Sequence, residues 1–334
     1  MRIITCTGFH YSGSSAVTDL FSETNKVLAF GDYEYRFLQD PFGISDLEYS
    51  VVQNNHRLNT SDSIKQFIKY ISDMKKMGYG GYDIFGDALD KCVNEFIDDI
   101  VQLKAHAWWD KDRRDRGVVF TYFDRLYSLT KRLLEHNLKS ERRFSILQKI
   151  EWGYYTAISE EEFLHATRKL VDSLFQSINP DNYDYIMVDQ MVPATNIDRY
   201  TRYFNDVRVI CVDRDPRDIY LLVKYVVDGG VIPVNDVREY VEWFKITRKY
   251  TKCKENEKLI KRINFEDLIY KYEQTKNSLF EFVGLDLTDH IVPKKHFDPR
   301  VSINNTRLFE KYPEAKDDVA YIENNLSDYL YPYS

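Results

Sequence analysis

The chain reads as an α/β protein, a P-loop-like three-layer fold with a central parallel sheet and a large helical insertion. Three observations predict this. Short apolar, β-branched runs alternate with segments of helical period. A loop of small residues, "GFHYSGSSAV" (8–17), joins the first such run to the first helical stretch. Between about residues 50 and 180 the pattern is mainly helical, which interrupts the strand series without ending it.

Residues 2–7, "RIITCT", form the first predicted strand. Residues 14–23 place Ala16, Val17, Leu20 and Phe21 on one helical face, with Ser14 or Ser15 as the expected cap. "KVLAFGD" reads as a second strand ending near Gly31. In the insertion, Ile64, Phe67, Ile68 and Ile71 recur at helical spacing. "DALDKCVNEFIDDIVQL" and "FLHATRKLVDSLFQSI" repeat that period, and the charged break "WWDKDRRDRG" between them reads as a solvated loop. Strand character returns in "YDYIMVDQ" (183–190), "DVRVICVDRD" (206–215) and "KLIKRINFEDL" (258–268). Helices on both faces of a parallel sheet put the active crevice beyond the carboxyl ends of the strands. Those ends are residues 8–15, 31–36, 189–196 and 213–218. One folded domain spanning 1–334 is expected, with the insertion inside it.

The 334 residues carry a net charge of −7, with 43% apolar and 30% charged residues. That balance supports an ordinary core and argues against a nucleic-acid-coating protein, while allowing a local basic pocket for a small anion. Cys6, Cys92, Cys211 and Cys253 are widely separated and form no CxxC, so neither a zinc site nor a disulfide frame is expected. No leader-like start and no apolar run of about 18 residues is seen, so a cytoplasmic, soluble protein is expected.

The first loop offers backbone N–H groups and serine hydroxyls at the start of a helix, a chemistry suited to phosphate or sulfate. It lacks the lysine of GxxxxGK[ST], which argues against nucleoside triphosphate hydrolysis. In "VICVDRDPRDIYLL", a buried strand delivers Arg214 just past its end and Pro216 opens a helix. A guanidinium there can fork onto a phosphate; the plainer reading pairs it with a neighbouring Asp.

With "SGSS" after the first strand, "RDPRD" after a later one, "INFEDL" before a helix ending "FVGLD", and "FDPRVSINNTRLF" (297–309), the chain resembles the sulfotransferases that use 3′-phosphoadenylyl sulfate (PAPS). These landmarks run from residue 8 to about 309. Asp189-Gln190 and "GDYEYRF" are also similar to a bacterial carbohydrate-modifying branch of that family. The resemblance implies sulfuryl transfer from PAPS to a carbohydrate or glycoconjugate hydroxyl, with no obligatory metal. Glycolipid or surface-polysaccharide precursors are acceptors of that class, and a peripheral membrane contact is compatible with it.

By the same resemblance, His10, Tyr11, Ser12, Gly13, Ser14 and Ser15 bind the phosphosulfate. Arg214 binds the 3′-phosphate, and Ser302, Asn305 and Thr306 bind the 3′-phosphate or adenine. Three departures stand out. Tyr11 occupies the place of a basic residue, so His10 or Arg36 must supply the charge. Leu222 replaces a serine. The histidine base of cytosolic members has no clear counterpart, His106 being a remote candidate. The expected base is Glu34, with Asp32 its rival; the plainer role for Glu34 is an ion pair with Arg36. Two other readings remain: a nucleoside or sugar kinase on a related P-loop scaffold, and a non-catalytic binding protein on a decayed fold.

Overall fold

In the computed structural model, which describes residues 1–134, 147, 149–227, 229–251 and 255–333, five strands form one parallel sheet. They are β1 (Arg2–Gly8), β2 (Val27–Glu34), β5 (Tyr185–Asp189), β6 (Val207–Asp213) and β7 (Ile260–Asn264), in the order β2-β5-β1-β6-β7. The register sets Ile3 of β1 between Ile186 of β5 and Val207 of β6. The remaining two strands, β3 (Leu103–Trp108) and β4 (Ile150–Tyr155), pair antiparallel in the insertion.

Alternation along the strands separates two cores. Ile3, Val207 and Val209 face one side and pack with Phe67, Phe96, Phe163 and Phe175 of the insertion helices. Ile4, Cys6, Ile210 and Val212 face the other and pack with Val17, Leu20 and Phe21 and with Phe265, Leu268, Leu279 and Phe280. The sheet therefore lies between two helical layers, as expected for the three-layer α/β class. A third cluster joins the helices Pro216–Leu221, Val237–Arg248 and Lys316–Asn325 through Tyr220, Tyr240, Phe244 and Ile322. Leu222 packs against it, so this position serves apolar contact.

The predicted strands are all present, with ends shifted by a few residues; β2 runs on through Glu34. The insertion departs further from expectation. It holds the long helices Arg57–Met77, Asp87–Ile100, Gly117–Leu134 and Glu160–Ser177, but also the β3–β4 hairpin. "WWDKDRRDRG" is not a solvated loop throughout: Trp109 and Asp112 are buried, and a short helix forms at Asp112–Asp115. Asp112 holds the Lys149 amide and the Arg116 guanidinium there, and that pairing drew the acid inward. Trp108 is exposed while Trp109 is buried. Cys6, Cys92 and Cys211 are free buried thiols, and Cys253 lies outside the described residues. No helix among the described residues is long and apolar enough to cross a membrane.

Candidate active site at the carboxyl edge of the sheet

The loop after β1 turns back so tightly that side chains are excluded at two glycines. A Cβ on Gly8 would stand 2.0 Å from Ser12 Oγ and 2.8 Å from the Val212 carbonyl. At Gly13, φ is +87°, and a Cβ would stand 2.5 Å from the Phe265 ring. His10 (φ 30°) and Tyr11 (φ 57°) are also left-handed, so three of four successive residues adopt a backbone that L side chains rarely take. Strain of this kind persists where the surroundings over-determine it, commonly at ligand clamps. Gly13→Ala is expected to lower stability by at least about 1–3 kcal/mol and to displace Phe265; denaturant unfolding checks the loss.

The helix after the loop, Ser15–Phe21, has Ser14 as its cap residue, but no side chain caps it. Ser14 Oγ instead donates to Asp189 Oδ2 (3.4 Å) and accepts from Gln190 Nε2 (3.2 Å). The expected serine cap is thus corrected: the hydroxyl is drawn sideways to the end of β5. Ser12 is buried, and Ser15 is exposed at the helix start.

Asp189 ends β5 opposite Glu34 of β2. Its Oδ1 is buried without a hydrogen-bond partner. Burial, then the nearby Glu34 charge, raises its pKa to about 7. Gln190 (φ 57°) is held from both sides, its amide bonded to the Cys6 carbonyl and its carbonyl to the Gln39 side chain.

Arg214 follows β6 and is 4% exposed. Its guanidinium donates to the Tyr11 carbonyl (3.1 Å) and to the Asn305 carbonyl, joining the first loop to the late one. Its Nε is buried with no hydrogen-bond partner, and the guanidinium carbon stands 5.0 Å from the centre of the Phe265 ring. The pairing with a neighbouring Asp falls instead to Arg217, which forks onto Asp215. Burial pulls the Arg214 pKa down while Asp218 and Glu266 push it back up.

The late loop is fastened from beneath. Asp218 accepts the amides of Arg307 (3.1 Å) and Leu308 (2.7 Å) and the Tyr333 hydroxyl (2.6 Å). The Thr306 hydroxyl is shared between Tyr270 OH (2.7 Å) and the Ile303 carbonyl (2.8 Å), so it pins the loop from within. Asn305 reaches Arg214 through its carbonyl and leaves its side chain exposed, and Ser302 is half-buried.

At the other end of the edge, Glu34 is half-exposed, with Oε2 3.8 Å from Arg36 Nη1. Arg36 also donates to Asp40 (2.8 Å). His10 senses both: burial and Arg36 lower its pKa, and Glu34 partly opposes them. A cleft of about 350 Å³ opens beside these groups, lined by His10, Arg36, Gln39, Gln190, Trp243 and Tyr250 among others. The Asp32 side chain lies outside the described residues. His106 packs against the Trp152 ring in the β3–β4 hairpin and does not line this cleft.

The sequence reasoning missed the buried acids behind the site. Glu266, in "FEDL", is fully buried; Oε1 accepts the Asp215 amide, and Oε2 has no partner. Burial raises its pKa to about 8. A carboxyl whose folded pKa lies above its unfolded value near 4.5 binds more protons in the native state, so it costs stability as pH rises across that window. Glu266→Gln is expected to flatten the fall in melting temperature between about pH 5 and pH 8; calorimetric scans at stepped pH check it. Arg248 was missed too: it forks onto Asp213 (3.0 and 2.7 Å) and stacks over Phe9, 4.1 Å from its centre, fixing the ring behind the loop.

No protein-family model matches the chain, and no curated protein matches it. Among solved structures, it is similar to the sulfotransferase domain from the curacin biosynthetic pathway, at 12% identity over 89% of this chain and 79% of that one, with TM-score 0.40. It is similar to the sulfotransferase domain from the Synechococcus PCC 7002 olefin synthase, at 9% identity over 92% and 88%, with TM-score 0.42. A third is retinol dehydratase in complex with androsterone and inactive cofactor PAP, at 11% identity over 100% and 83%, with TM-score 0.35. All three scores lie below 0.5, so residue roles are argued from this chain's own geometry.

Proposed function

We propose that the protein moves a sulfuryl group from 3′-phosphoadenylyl sulfate to a hydroxyl of a carbohydrate or glycoconjugate. The observation that carries this reading is Arg214, a buried guanidinium with an unpartnered Nε that ties a strained, small-residue loop to a second loop. A buried guanidinium beside a loop of small residues at a helix start suits an anion with more than one charged group. Residues 10–15 would hold the phosphosulfate; Arg214, with Ser302, Asn305 and Thr306 shaping the late loop, would hold the ribose phosphate.

In such a transfer the sulfur–oxygen bond to phosphate breaks as a new one forms to the acceptor oxygen. Charge collects on the departing phosphate, where the loop amides and the Arg36 cation stabilise it. Glu34 takes the acceptor proton. The adjoining cleft is lined by Gln39, Gln190, Trp243 and Tyr250 among others, residue types suited to hydroxyl-rich rings. Incubation with radiolabelled PAPS and a panel of glycan acceptors tests the proposal. Labelled product supports it; no binding of PAPS or of adenosine 3′,5′-bisphosphate overturns it.

One observation favours a second reading. A serine at the helix start bonded to an aspartate closing the neighbouring strand, as Ser14 is to Asp189, is the pair that holds magnesium in P-loop kinases. Thermal stabilisation by ATP with magnesium, and none by the bisphosphate, would select the kinase.

A further inference from the structure

The helix Gly117–Leu134 is turned inside out. An ordinary surface helix buries its apolar stripe and exposes its polar one. Here Val118, Val119, Tyr122, Phe123, Leu126 and Leu133 are 60–75% exposed and follow one another at helical spacing. Among the described side chains of the helix, the buried one is Asp124, fully enclosed and paired with Arg113 (2.7 Å). The β3–β4 hairpin of the same insertion repeats the pattern, with Trp108, Ile150 and Trp152 each more than 40% exposed on one face. Exposed apolar side chains gathered on each of these two elements mark a contact with something else.

Charge identifies the occupant. Residues 103–134 contain eight lysines and arginines against four aspartates, inside a chain whose net charge is −7. All four acids are engaged within the protein: Asp110 with Arg57, Asp112 with Arg116, Asp115 with the Trp109 indole, and Asp124 with Arg113. Arg113 and Arg116 are spent on two of these acids and Lys111 on Asp62; the excess that remains, with Lys104, Arg114 and Arg125 exposed, is positive. Exposed aliphatic and aromatic residues with tryptophan, set among cations, match the interface of an anionic bilayer, where rings sit at headgroup depth and cations meet lipid phosphates. We propose that the helix Gly117–Leu134 and the β3–β4 hairpin seat this protein on an anionic phospholipid surface. No helix among the described residues spans a bilayer, so the contact is interfacial.

Sedimentation of the full chain with phosphatidylcholine vesicles, with and without phosphatidylglycerol, tests this. The protein is expected to pellet with the anionic vesicles and to be released by added salt. Phe123→Ser with Leu126→Ser, and separately Arg114→Glu with Arg125→Glu, should each cut the partition coefficient by at least about tenfold. Both pairs are exposed, and an unchanged melting temperature shows that the fold is kept. Failure of the wild type to pellet with anionic vesicles overturns the proposal. So does unaltered binding by both variants. So does a dimer in light scattering that the Phe123→Ser/Leu126→Ser pair splits, which would mean that a second copy covers the face. The readout involves no sulfuryl transfer, so it stands or falls separately from the proposed function.

Discussion

Arg214→Ala is expected to weaken adenosine 3′,5′-bisphosphate binding by about 2–4 kcal/mol, roughly 30- to 1,000-fold. The guanidinium is almost wholly enclosed, so a phosphate beside its Nε would meet a charge that water screens poorly. Truncation also releases the Tyr11 and Asn305 carbonyls, which this side chain bridges. Two effects are thus superposed, and Arg214→Lys separates them. Lysine restores the charge but cannot span two carbonyls while offering a third nitrogen. Titration calorimetry on both variants reads the result. Affinity recovered by lysine assigns the loss to charge; affinity still lost assigns it to the bridge. Full affinity in Arg214→Ala would mean that the phosphate lies elsewhere.

Glu34→Gln is expected to slow turnover by about 10²–10⁴-fold with bisphosphate affinity nearly unchanged. The carboxylate stands at the cleft end of the edge, opposite Asp189 and near Arg36, away from the Arg214 loop contacts. Removing its charge also relieves Asp189, whose raised pKa owes part of its shift to Glu34. The variant should therefore carry a second signature: the Asp189 carboxyl titrates at a lower pH, visible by NMR of a side-chain-labelled sample. A rate loss without that change would show Glu34 acting at a distance from Asp189. An unchanged rate would move the proton-accepting role to another group, or favour a binding protein.

The strands were legible because β-branched apolar runs ending in charged residues have few other readings; "VICVDRD" is one. The β1 loop was legible through its glycines and serines, whose backbone needs are local. The hairpin was not. "LKAHAW" and "IEWGYY" are short, lie more than 40 residues apart and carry no turn signal between them, so helical periods on either side dominated. Glu266 and Asp218 escaped for a different reason. Each looks like an ordinary acid in the first turn of a helix, and only the fold reveals that it is enclosed. Ser14 misled because a serine ahead of a helix favours capping, until a neighbouring strand offers Asp189 and Gln190 in competition.

Arg214 binds a carbonyl 203 positions before it and another 91 positions after it. Asp218 secures Leu308 across 90 positions. β1 and β6 themselves pair across 204 positions, and these side-chain contacts form only once that pairing has brought both loops to one edge of the sheet. In a refolding reaction followed by pulsed deuterium labelling, amides of β1 and β6 should gain protection in an early kinetic phase. Those of Thr306, Arg307 and Leu308, held by the Ile303 carbonyl and by Asp218, should follow in a later one, so that ligand capture switches on last.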